Sequence, residues 1–169
     1  EHFGESVKVY ENYLAVGTDK DTNGSVYIYY KNQATGVYSH QKTIAITNGG
    51  SEEQDALYGI DSRFGSYLDI TDKYLAIGAP FFPAGDGDPY YPDWGRTYLY
   101  KRQGTDWVFL KKWDVNTDFS VTTSAAQFGE RITLTNELLI IGSKEQGTQY
   151  AGSGKVYIFD KNYGGTDNW

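Results

Sequence analysis

YLAVGT (Tyr13–Thr18), YLAIGAP (Tyr74–Pro80) and LLIIGS (Leu138–Ser143) are three versions of one phrase. Each follows a Phe-Gly pair: Phe3-Gly4, Phe64-Gly65 and Phe128-Gly129. The glycine of the phrase stands 13 residues after the glycine of the pair every time. Further along come VYIYYKN from Val26, TYLYKRQ from Thr97 and VYIFDKN from Val156. Only the segments between these anchors differ in length. A fixed core with variable connections is how a repeated supersecondary unit looks in sequence.

Strands can be read within one unit. SVKVYENYLAVG holds two alternating apolar runs that meet at ENY, and its counterparts turn at TDK and TNE. Short junctions of Asn, Asp and Lys predict tight hairpins. SVYIYY supplies a third strand, and SHQKTIAI (Ser39–Ile46) and WVFLKKW (Trp107–Trp113) supply the fourth. Four short strands in series form an antiparallel meander of propeller-blade size. The expected blades are residues 3–46, 64–113 and 128–169, the last one truncated. No stretch carries a helical period of useful length, which excludes an α-solenoid.

Composition agrees with an all-β class. Of 169 residues, 17% are aromatic, 20 are Gly and none is Cys or Met. Aromatic and β-branched runs punctuated by glycine favour strands and tight turns. A net charge of −7 argues against nucleic acid, because phosphate contacts need clustered Lys and Arg. No segment is long and apolar enough for a membrane helix. The absence of methionine suggests a mature, processed or excised piece.

These residues resemble a family. F-G-x-S-V at Phe3–Val7, G-A-P at Gly78–Pro80 and G-S-V-Y-I-Y at Gly24–Tyr29 are similar to FG-GAP repeats. Only the middle unit spells G-A-P; the first has G-T and the third G-S. The resemblance implies blades of a propeller of about seven, as in the N-terminal propeller of integrin alpha subunits and many surface proteins. Integrin repeats often carry an Asp-rich calcium loop between their first two strands. Here that junction is three residues long, so calcium sites of that type are not expected.

A blade is buried against neighbours on both faces, so the Phe of each pair is expected between blades. The glycines are expected at tight turns and close backbone approaches. GGTDNW (Gly164–Trp169) aligns with GTDW (Gly104–Trp107), so the sequence stops where the last strand of its third unit should begin. Three blades also fall short of the four to eight that close a propeller. The chain is therefore expected to belong to a longer one. An intact small domain would instead carry exposed sheet edges.

In a meander the 1–2 and 3–4 turns share one side and the 2–3 and 4–1 connections share the other. The long connections, Thr47–Arg63, Ala79–Gly95, Asp114–Gln127 and Ser143–Gly154, all fall in the second class. The richest holds Phe81, Phe82, Asp86, Asp88, Tyr90, Tyr91, Asp93 and Trp94. Aromatic faces beside carboxylates suit a sugar, a protein partner or a cation. The competing reading folds these aromatics back over the blade edge. DKDTNG (Asp19–Gly24) matches half an EF-hand loop through Asp19, Asp21 and Asn23, but lacks the closing Glu. The leading reading is a plain turn at Asn23-Gly24, and Asn23-Gly24-Ser25 is also a glycosylation sequon. Any calcium held there would be weakly bound.

Catalysis is not expected. His2 and His40 sit in no triad or metal spacing, and AGSGKV (Ala151–Val156) lacks the first glycine and the helix of a phosphate loop. Two classes remain: an extracellular recognition or adhesion module for protein or glycan, including a lectin-like one, and a structural segment of a surface layer or appendage. Its partners would be such a ligand and further blades or neighbouring subunits.

Overall fold

The computed structural model describes residues 2–18, 24–46, 62–82, 94–120, 126–144, 153–165 and 168–169. The first sheet is β1 (Phe3–Tyr10), β2 (Tyr13–Thr18), β3 (Ser25–Lys31) and β4 (Tyr38–Ala45), in that spatial order. The second repeats it with β5 (Tyr67–Ile70), β6 (Tyr74–Ala79), β7 (Arg96–Gln103) and β8 (Asp106–Asp114). One short helix, α1 (Val115–Phe119), follows. The third sheet has β9 (Phe128–Leu134), β10 (Leu138–Ser143) and β11 (Lys155–Asp160), with β10 central. Every strand pair within these sheets is antiparallel. The protein is all-β, built of propeller-like blades.

The second strand of each sheet shows why one sheet cannot stand alone. Its side chains alternate between two apolar faces. In β6, Leu75, Ile77 and Ala79 join a core with Ala15, Val26 and Ile28 of the first sheet. Tyr74 and Ala76 join a second core with Phe128, Leu139 and Ile141 of the third. The middle sheet is thus covered on both sides, and its neighbours on one side each.

The two motif glycines meet at these seams. A Cβ on Gly17 would fall inside 3.0 Å of the Gly65 carbonyl oxygen, and one on Gly78 equally close to that of Gly129. Glycine of the phrase in one blade therefore lies against glycine of the Phe-Gly pair in the next, backbone to backbone. Gly65 and Gly129 also take φ of 95° and 94°, a left-handed region that suits glycine. In β1 and at the β9–β10 pairing, the ladder shifts register beside Gly4 and Gly129, as a bulge does.

The phenylalanines lie as expected and make a further contact. Phe64 and Phe128 are fully buried, and each packs edge-on against a tyrosine of its own blade's third strand, Tyr98 and Tyr157. Phe3 makes the same contact with Tyr27 but is 56% exposed, because no described sheet lies outside it.

A second repeated device sits at the opposite rim. Trp107, at the start of β8, packs edge-on against Tyr13 of the preceding blade, and Lys42 Nζ donates to its carbonyl at 2.7 Å. Trp169 packs in the same way against Tyr74, and Lys111 Nζ donates to the Trp169 carbonyl. Arg102 and Lys161 lie over the same two tyrosine rings. Trp169 thus occupies the place of Trp107 in the third repeat.

Candidate functional site

The hairpins β1–β2, β5–β6 and β9–β10 turn within two or three residues, and β3–β4 and β7–β8 return at the same rim through six and two. At the other rim the sheets release the connections between β2 and β3, β4 and β5, β6 and β7, β8 and β9, and β10 and β11. Hydrogen bonds tie this rim together. Phe81 N–H donates to the Ser62 carbonyl at 3.2 Å, joining the connection after β4 to the one after β6. Phe128 N–H donates to the Trp94 carbonyl at 3.0 Å, joining blade two to blade three. Ser143 Oγ donates to the Ala126 carbonyl at 2.6 Å.

The connection after β6 is the best anchored. Gly95 N–H donates to the Phe82 carbonyl at 3.1 Å, closing the loop at its neck. Phe82 is buried beneath the Arg96 guanidinium, 3.8 Å from ring centre to Cζ. Arg96 Nε donates to Asp114 Oδ2 at 3.1 Å, an ion pair with both side chains buried. Asp118 in α1 accepts the Asp114 N–H at 2.7 Å, so the helix is fastened to the same platform. Arg63 stacks over Phe81 at 4.2 Å. A buried ion pair of this sort adds little net stability, because desolvation of the two charges offsets their attraction. It makes a rigid base for whatever the loop carries.

Of the residues expected to bind, Trp94 is buried in the core between blades two and three, at the foot of its loop. Phe82 is buried too, so at these two positions the aromatics fold back into the blade. Asp86, Asp88, Tyr90, Tyr91 and Asp93 lie outside the described residues, as do Asp19, Asp21 and Asn23. The neck of that second connection is described: Ser25 N–H donates to Thr18 Oγ1 at 2.9 Å. Among the described residues no group of three His, Cys, Asp or Glu could hold a metal. His40 is exposed beside Tyr27 and Tyr29.

Sequence reasoning missed Arg96, Asp114 and the α1 fastening. The signal was present, since Arg96 opens β7 and Asp114 ends β8, and an antiparallel hairpin pairs such positions directly.

No family model matches the chain and no curated protein matches it. Among solved structures, the N-terminal domain of Nup159, a β-propeller, is similar over 92% of this chain with 8% identity and a TM-score of 0.44. The match covers 33% of that structure's chain, so the present chain spans about a third of its length.

Proposed function

We propose that this chain is a recognition module of an extracellular or cell-surface propeller of the FG-GAP, integrin-like kind, binding a protein or glycan through its long-connection rim. The asymmetry of the two rims carries this reading. Hairpins of two to six residues trim one, while the other holds the long connections, among them those anchored by Phe82–Gly95, Thr18–Ser25 and Ser143–Ala126. Variable loops on a rigid scaffold are the usual way such folds carry binding. Tyr90, Tyr91, Asp86, Asp88 and Asp93 are then the side chains that meet the ligand. Weak calcium binding at Asp19, Asp21 and Asn23 belongs to the same reading.

Arrays of glycans and surface proteins, probed with the full chain and with a Tyr90→Ala, Tyr91→Ala variant, test it. A ligand bound by the first and lost by the second, with unchanged melting, is expected. Equal binding by both would move the site off this loop. A second reading, a structural segment of a surface assembly, draws on the apolar outer faces of the first and third sheets. Ordered polymers in electron micrographs of native material, without array binding, would favour it.

A further inference from the structure

The residue before each Phe-Gly pair is polar: His2, Arg63 and Gln127. The first strands of the sheets pack against one another, β1 on β5 and β5 on β9, while the fourth strands β4 and β8 barely touch. The blades therefore converge on their first strands. Arg63 and Gln127 end the connections that enter β5 and β9, so they stand where the long-connection rim meets that inner edge. Both take left-handed backbone, with φ of 54° and 48°, although neither is glycine. Ordinary side chains avoid this region, and such strain gathers at binding and catalytic sites.

Arg63 is exposed between two fully buried neighbours, Ser62 and Phe64. Its guanidinium lies 4.2 Å above the half-buried Phe81 ring, and the Phe81 N–H donates to the Ser62 carbonyl. The same chain holds a completed version of this stack. Arg96 lies over Phe82 in the same manner, and there Asp114 accepts from its guanidinium. Among the described residues no group accepts from the Arg63 guanidinium. Stacked on a ring, a guanidinium keeps its in-plane N–H fork for a carboxylate. On Gln127 the side-chain Oε1 is buried and accepts no hydrogen bond, an unmet acceptor that a hydroxyl would satisfy.

We propose that this inner edge of the rim binds a sugar acid, with Arg63 taking its carboxylate and Gln127 Oε1 one of its hydroxyls. This rests on the recognition reading above and names its ligand class. One such guanidinium in a chain of net charge −7 suits a ligand with one carboxylate. A polyacidic peptide would meet repulsion instead.

Titration of the isotope-labelled 169-residue chain with D-glucuronate, D-glucose and acetyl-aspartate amide, followed by NMR, tests this. Glucuronate should shift the Arg63 Nε–H and Gln127 side-chain resonances saturably. Glucose, which lacks the carboxylate, should not. Arg63→Gly and Gln127→Gly should both fold and melt close to the unmodified chain, because glycine suits left-handed backbone. Arg63→Gly should nonetheless weaken glucuronate binding about tenfold to a hundredfold, as loss of a hydrogen bond to a charge does, and Gln127→Gly about tenfold or less. No saturable shift, glucose bound as well as glucuronate, or unchanged binding by Arg63→Gly would overturn the proposal. Equal binding of acetyl-aspartate amide would overturn the sugar assignment in favour of a protein carboxylate. In any of these cases, loss of array binding by the Tyr90→Ala, Tyr91→Ala chain would leave the broader recognition reading standing, so the two fail separately.

Discussion

Gly78 has no room for a side chain. An added methyl group would lie against backbone carbonyl of Gly129, which cannot rotate away as a side chain could. Gly142 holds the same position in its blade but faces only Arg131, whose Cβ is nearest at 3.1 Å and whose carbonyl oxygen lies at an ordinary 3.7 Å. The same substitution at the two sites should therefore differ in effect. Gly78→Ala is expected to cost at least the upper part of the roughly 1–3 kcal/mol typical of overpacking, and Gly142→Ala well under about 1 kcal/mol in the monomer. Denaturant unfolding of the two variants measures both. Equal losses would mean that Gly78 does not sit in a seam. The sequence displays these glycines at a fixed spacing, and so their importance was legible. Their partners were not, because each partner belongs to the following repeat, and a one-dimensional spacing does not say which backbone comes close.

Between residue and blade lies the clamp of Lys42, Asp106 and Trp107. Lys42 Nζ donates to Asp106 Oδ1 at 2.6 Å, and the Trp107 N–H donates to the same oxygen at 2.8 Å. The lysine first and the amide second hold the Asp106 carboxyl below its ordinary range. Folding therefore favours the charged form. The stabilisation is present above the ordinary carboxylate pKa of 3.8 and is lost as pH falls through the lower folded value. Asp106 is mostly exposed, so solvent screening keeps this below about 1 kcal/mol. Asp106→Asn should thus lower stability slightly at pH 7 and not at all near about pH 2–3, by urea unfolding at both. A loss that grew in acid would contradict the assignment. The third repeat has Asn168 where Asp106 stands, and Lys111 of the second blade, in the place of Lys42, reaches only the Trp169 carbonyl among the described polar groups.

The elements themselves were largely legible. Apolar alternation at Tyr13–Thr18, Tyr74–Ala79 and Leu138–Ser143 gave the central strands, and the short hairpins followed from ENY, TDK and TNE. What alternation cannot show is which of two apolar faces meets which neighbour; Tyr74 and Leu75 point to different cores although both are buried. The register shifts at Ile28/Tyr29 and Leu99/Tyr100 were equally hidden, since they depend on the partner strand. Helix α1 follows Asp114 directly, and five residues are too few for a periodic signal.

At the scale of the whole molecule, three sheets share two seams and two apolar cores, and the long connections leave from one rim. The candidate loop's aromatics were visible in the sequence as one group, but the structure divides them. Phe82 and Trp94 serve the core, because a loop neck between two blades buries whatever apolar side chain it carries. The central claim is that successive blades meet glycine to glycine, and nuclear Overhauser spectra read it directly. The account requires a cross-peak between the α-protons of Gly129 and Gly78, whose backbones approach closely, and one between Gly65 Hα and the Val26 γ-methyl. Both should be strong at short mixing times. Their absence in a folded sample, or cross-peaks joining Gly129 to Gly17 instead, would contradict the order of blades and the seam that joins them.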